Sequence, residues 1–304
     1  MWNSSPMLDQ TPCADISRAQ GEPLLGTASR VRNWILIQHD EPWGRDAIMQ
    51  AALENPLVRH LQPRLRRHRI RPLLIRRPIA TKTDSERLFL VHSGVNEQWI
   101  QEMHVQAAEE IPDDDLTGMA AGRPPSTGTP RSDPLYLVCT HSEHDACCGT
   151  YGRGIASHLS GPRPEQTWET SHVGGDRFAA NLVCMPHGAY FGRVTERASV
   201  RIATSYESGR IDLEHYRGRS TFDPVVQAAD VFLRQREHLE GIDDLAFQTR
   251  LERGGGRARV TFRDPGGALL EADITVRRAT SRRITCSASR PGGPREYRFE
   301  VPVD

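Results

Sequence analysis

A single lysine, Lys82, stands among 39 basic residues, and the other 38 are arginine. Such a skew reflects the codon usage of a genome, and no function follows from it. Long apolar runs are also missing. The longest, Leu135–Cys139 and Leu182–Met185, fall far short of the ~18 residues a membrane helix needs. Residues 1–20 carry Asp9, Pro12 and Asp15 and have no apolar core, so no signal peptide is expected. Neither sign of charge dominates: 39 basic residues balance 39 acidic ones. No global field draws the chain onto nucleic acid or an anionic membrane. Six cysteines in 304 residues are too few for a secreted disulfide framework. The expected compartment is the reducing cytoplasm, where clustered cysteines hold metal or do redox chemistry. No glycine-rich dinucleotide fingerprint and no P-loop occurs, so a tightly bound nucleotide is not indicated. What remains is an ordinary globular composition. Hydrophobic residues make up 37% and there are 25 glycines, together about 45%, enough for a core.

The order of segments points to an α/β fold. Residues 1–30 are polar and turn-rich, an arm expected to wrap on the first domain. Residues 31–112 read as a first αβ unit. Trp34–Gln38 is a strand, and Arg45–Glu54 a helix. Asn55–Pro56 marks an N-cap and first helical position. The second helix buries Leu57, Val58, Leu61 and Leu65 and is expected to kink or end at Pro63. Leu73–Ile75 and Leu88–Val91 are further strands. Residues 113–133, rich in glycine and proline, read as a linker. A second αβ unit spans 134–240: strand Leu135–Cys139, helix 147–159, strand Thr167–Ser171, a hairpin turning at Pro186–Gly188, then helices at 195–207 and 223–239. Residues 241–304 read as a small antiparallel β-extension with turns at the glycine pairs.

The reactive residues concentrate at one strand–helix junction. Cys139, His141, His144, Cys147 and Cys148 fall within ten residues, a density that packing does not explain. Cys147 and Cys148 open a helix, where unpaired N–H groups favour thiolate, the form that binds metal. Adjacent cysteines point in different directions, so one of the two is expected to face Cys139. A second stretch, His172-Val173-Gly174-Gly175-Asp176, can turn tightly at its glycines and bring His172 and Asp176 to one centre. Cys184 and Cys286 read as small buried hydrophobes. The spacing matches neither a zinc ribbon nor a thioredoxin C-x-x-C, which leaves a metal site or a thiol redox site, type open.

With these residues the sequence resembles the sucrase/ferredoxin-like proteins, which are thioredoxin-like 2Fe-2S ferredoxins. The resemblance rests on VCTHSEHDACCGTYGRGIA (138–156), WETSHVGGDRFAANLV (168–183) and YFGRV (190–194), with weaker matches from about residue 13 to 235. It implies two tandem thioredoxin-like units and an electron-transfer function. It also implies a 2Fe-2S cluster held by Cys139, Cys148, His172 and a fourth ligand. The family's second histidine is Asp176 here. Asp176 through oxygen, Cys147, His141 and His144 are the candidates for the fourth position, and a three-ligated, labile cluster is the remaining alternative. Replacing a neutral imidazole by a carboxylate adds a negative charge. The potential is then expected between about −400 mV for an all-cysteine centre and about +300 mV for a two-histidine one. The implied partner is a redox protein. No carboxylate pair supports a sucrase activity. Two other classes stay open: a thiol–disulfide enzyme using Cys147 or Cys148 with Cys139, and a structural zinc module.

Arg177, Gly174 and Gly175 are expected to support the site, Arg177 by orienting Asp176. Trp168 and Phe178 are expected to exclude water. Residues 55–83 hold eight arginines and Lys82 but no acid, while 84–115 hold nine acids against Arg87 alone. These read as a basic surface facing an acidic neighbour inside the fold.

Overall fold

The computed structural model describes residues 11–79, 86–105, 111–288 and 290–300. Strand β1 (Asn33–Gln38) is buried at every position. A strand with no wet face belongs inside a sheet covered on both sides. It pairs in parallel with β2 (Arg71–Arg76) and antiparallel with β3 (Glu86–Ser93). Beyond β3 lie β4 (Gln98–Val105) and β5 (Thr129–Pro130). The second half repeats this plan. β6 (Leu135–Cys139) is parallel to β7 (Thr167–Thr170) and antiparallel to β8 (Leu182–Met185), followed by β9 (Ala189–Phe191) and β10 (Tyr216–Arg219). Antiparallel pairing of β2 with β7 joins the halves into one ten-stranded sheet, β10-β9-β8-β6-β7-β2-β1-β3-β4-β5.

The helices begin with α1 (Cys13–Ala19), in the arm. This arm packs on the second half, contrary to expectation, because Cys13 and Ala14 are buried beside Cys147 and Ala179. α2 (Ala47–Glu54) and α3 (Pro56–Arg67) connect β1 to β2. The Asn55 side chain caps α3 by accepting from the Leu57 and Val58 amides. Pro63 does not end α3. Leu57, Val58, Leu61 and Leu65, on both sides of it, are all buried against the sheet, and that packing outweighs the lost hydrogen bond.

The expected linker also differs. Its first residues form α4 (Asp113–Ala120). Three aspartates in the first turn suit a helix N-terminus, and Leu116 and Met119 drop into the core. Arg64 and Arg67 of α3 reach Asp113 at 2.6 and 3.8 Å, so basic and acidic stretches do face each other within the fold. Lys82 and Asp84 lie outside the described residues.

In the second half α5 (Ala146–Ser160) joins β6 to β7, and α6 (Glu196–Glu207) follows β9. α7 (Pro224–Glu237) covers a separate antiparallel sheet of β11 (Ala246–Gly254), β12 (Arg257–Arg263), β13 (Leu269–Arg278) and β14 (Arg295–Glu300). Val226, Ala229 and Leu233 meet Val260, Phe262 and Ile274 there. The fold is therefore mixed α/β with a second, four-stranded sheet, and the β-extension lies where the sequence predicts it.

His187, in the β8–β9 turn, contacts the Tyr206 hydroxyl through Nδ1 at 2.5 Å. Burial holds its pKa down at about 4. The unfolded chain therefore takes up a proton at His187 before the folded one does. This contribution to stability is complete above about pH 6.5 and is lost as pH falls toward 4, by roughly 3 kcal/mol. Urea unfolding of wild type and His187→Gln between pH 7 and 4 measures it. Parallel pH profiles for the two proteins count against it.

Candidate metal centre

Cys139 closes β6, and the Thr140 amide donates to the Thr170 carbonyl, so β6 and β7 end side by side. In a sheet with parallel strands, the loops at their carboxyl ends are where sites assemble. The chain turns through His141–His144 to Asp145, whose carboxylate caps α5 by accepting from the Cys147 amide at 2.9 Å. α5 lies very close to β6. A Cβ at Gly152 would sit 2.1 Å from the Cys139 carbonyl oxygen, and one at Gly149 would sit 2.5 Å from Ser142 Cβ. These glycines let the first turn of α5 bring Cys148 to Cys139. Gly152→Ala must push the helix off the strand, at a cost of roughly 1–3 kcal/mol. A thermal melt checks this, and an unchanged midpoint contradicts so close an approach.

β7 leads into the second loop. The Leu74 amide donates to Ser171 Oγ at 3.0 Å, tying the loop to β2. Gly174 and Gly175 have φ of +103° and +86°, and a Cβ on Gly175 would meet the Arg217 guanidinium at 2.3 Å. The resulting turn brings His172 Nδ1 within 3.1 Å of Asp176 Oδ1.

Two overlapping sets of donors result. Donor atoms of Cys139, Cys148 and His172 lie within 4.8 Å of one another, and so do those of His144, His172 and Asp176. Cys148 Sγ is 3.6 Å from Asp176 Oδ1. His172 Nδ1 is buried and makes no aligned hydrogen bond among the described residues, and the Asp176 carboxylate is its charged neighbour. Cys148 donates a hydrogen bond to Cys139, which pushes Cys139 far below the usual thiol range and Cys148 above it. Burial lowers His172, but the Cys139 thiolate and Asp176 outweigh it and leave its pKa raised. Burial raises Asp176.

Cys139 and Cys148 are 0% and 1% exposed, whereas the His172 side chain is 22% exposed. Its ring stacks on His144 at 3.8 Å between centroids. Both imidazoles border a groove of about 470 Å³ that Arg45 and Arg71 also line. Trp168 and Phe178 are fully buried, and Trp168 packs in the same apolar cluster as Cys139 and Cys148.

Four expectations change. Cys147 faces away from Cys139, with its sulfur 3.7 Å from Cys13 and 3.4 Å from Cys286. That contact also removes Cys286 from the class of plain packing residues, while Cys184 stays in the core. His141 is engaged at both nitrogens: Nε2 with the Gly44 carbonyl at 2.7 Å, and Nδ1 as acceptor from the His172 amide at 3.3 Å. Arg177 does not orient Asp176. It pairs with Glu22 at 2.8 Å, because α1 and its following turn lie closer.

The arginine beneath the glycine loop is Arg217, which the sequence did not reveal. It is fully buried and donates to Thr27 Oγ1 (3.0 Å), the Gly174 carbonyl (3.2 Å), Asn181 Oδ1 (2.7 Å) and the Thr27 carbonyl. Cys13 and Asp145 were missed as well. Cys13 is 134 residues from Cys147, and no spacing pattern links residues that far apart.

Among the described residues no helix is long and apolar enough to cross a membrane. No solved structure matches the chain. The chain is similar to altered inheritance of mitochondria protein 32 of Meyerozyma guilliermondii, 29% identical over 104 residues, covering 29% of this chain and 35% of that protein. It thus spans about a third of the length of this curated relative. The family model described as sucrase/ferredoxin-like matches residues 24–218. That match takes in both loops of the centre and most of the ten-stranded sheet, and the chain belongs to the sucrase/ferredoxin-like family.

Proposed function

We propose that this protein is an electron carrier whose 2Fe-2S cluster is held by Cys139, Cys148, His172 and Asp176. The observation that carries the proposal is the convergence of donor atoms of Cys139, Cys148 and His172 within 4.8 Å of one another, with both sulfurs buried. Thiolate, imidazole and carboxylate donors together suit iron. Two overlapping triads that share His172 span more space than one ion needs, which favours a two-metal unit over a single structural zinc. When bound, such a cluster stores one electron. The chain's own residues bury the sulfurs, keep water out with Trp168 and Phe178, and leave the His172 edge open to the groove.

A redox protein partner would approach at the half-buried His172 and His144 rings that border the groove. The cytoplasm, a reducing compartment, suits six unpaired cysteines. The local strand order of each half, β7-β6-β8-β9 and β2-β1-β3-β4, supports two thioredoxin-like units in tandem. A thiol–disulfide enzyme is less well supported: Cys147 is turned away, and a nucleophile as buried as Cys139 or Cys148 has poor access to substrate.

Anaerobically purified protein is expected to contain about two iron and two acid-labile sulfide per chain, and to give an EPR signal after dithionite reduction. Protein without labile sulfide contradicts the proposal. Asp176→His, which removes one negative charge, should raise the potential. If Asp176→Ala alters neither colour nor potential, aspartate is not a ligand.

A further inference from the structure

Apart from the centre just described, the densest group of metal-binding side chains joins the N-terminal arm to the C-terminal extension. Cys13 opens α1, Cys147 lies in the first turn of α5, and Cys286 follows β13. The Cys13 and Cys147 sulfurs are 3.7 Å apart, and those of Cys147 and Cys286 are 3.4 Å apart. Cys13 Sγ is 3.9 Å from each carboxylate oxygen of Asp145. The four donor atoms lie within 4.8 Å of one another. Unlike the overlapping triads at Cys139, they form one closed set.

Packing does not account for this arrangement. Asp145 is 2% exposed. Its carboxylate accepts from the Cys147 amide, the Cys286 amide and the Thr285 hydroxyl. No cationic side chain pairs with it among the described residues. Its three hydrogen bonds and the start of α5 keep this carboxylate anionic while it faces three sulfurs, which makes the group a ready set of donors for a cation. Tetrahedral zinc, with Zn–S bonds of about 2.3 Å, sets its sulfurs roughly 3.8 Å apart and a ligand oxygen roughly 3.5 Å from each sulfur. The observed spacings lie close to these values.

We propose that Cys13, Cys147, Cys286 and Asp145 bind one structural zinc ion. On binding, the thiol protons pass to solvent. Three thiolates and one carboxylate around the divalent ion leave the same net charge as a four-cysteine zinc site. The ion ties α1 and the segment after β13 to the first turn of α5. It takes Cys147, while Cys148 on the opposite side serves the other centre. The zinc site stands whether or not iron binds at Cys139.

Metal analysis of the full chain purified without chelator is expected to give about one zinc per chain. Cys13→Ser and Cys286→Ser should each abolish it, and Cys184→Ala should retain it. The visible spectrum of iron-loaded protein should be unaffected by the two serine changes. A second measurement needs no variant: alkylation with peptide mapping should find Cys13, Cys147 and Cys286 protected until a chelator is added. Zinc that persists in both serine variants, or that is lost with Cys139→Ser instead, overturns the assignment. So does free alkylation of the three thiols in protein as isolated, or recovery of a Cys147–Cys286 disulfide peptide.

Discussion

Serine in place of Cys139 or Cys148 is expected to leave iron-loaded protein colourless, with complete loss of labile sulfide. A serine hydroxyl is a poor ligand because it stays protonated at neutral pH, whereas a hydrogen bond from Cys148 holds the Cys139 pKa well below the usual thiol range. Both sulfurs are buried, so no water or outside thiol can replace the missing ligand. Serine differs little from cysteine in volume, and the variants should keep the wild-type far-ultraviolet circular dichroism. Colour retained in either variant would remove that cysteine from the centre. The same change at Cys147 should spare the colour, since its sulfur faces Cys13 and Cys286.

Arg217→Met should cost stability and lower the potential together. Arg217 is fully buried, and burial brings its pKa down only to about 10, so it stays charged at neutral pH. Every acceptor it reaches is neutral: two carbonyls, a hydroxyl and an amide oxygen. Methionine leaves these acceptors unsatisfied, at a cost of about 3–5 kcal/mol. That corresponds to a melting point lower by roughly 10 °C. The lost positive charge also matters to Cys139 and Asp176, both of which feel it. At an effective dielectric near 20 and a separation on the order of 10 Å, one charge is worth about 1.7 kcal/mol, roughly 70 mV for one electron. Arg217→Lys keeps the charge and should recover most of the potential but less of the stability, because an ammonium cannot span the same acceptors. A potential unchanged in Arg217→Met would mean that the arginine only braces the loop.

Much of the architecture was legible because it is local. WILIQ (34–38) has strand length and a buried strand's composition. Asn55–Pro56 carries its own cap. Gly255–Gly256 and Gly266–Gly267 fall at turns of the tail, whereas Gly292 forms a bridge with Arg282. Errors came where packing overrode a local signal. Pro63 is held in α3 by apolar residues on both sides. Residues 113–120 fold because Leu116 and Met119 find a core, which a count of glycine and proline cannot anticipate.

The chemistry divides along the same line. Which donors exist, and that Cys147 and Cys148 must diverge, follows from one short segment whose spacing carries its geometry. That His172 joins Cys139 and Cys148 was implied by a family resemblance. It comes about physically because β6 and β7 run parallel and end together. That Arg217 rather than Arg177 lies under the glycine loop, and that Cys13 and Cys286 meet Cys147, depends on contacts between segments 36 to 273 residues apart. Such contacts are decided by burial and shape after the chain has collapsed, and no short-range pattern in the amino-acid order encodes them.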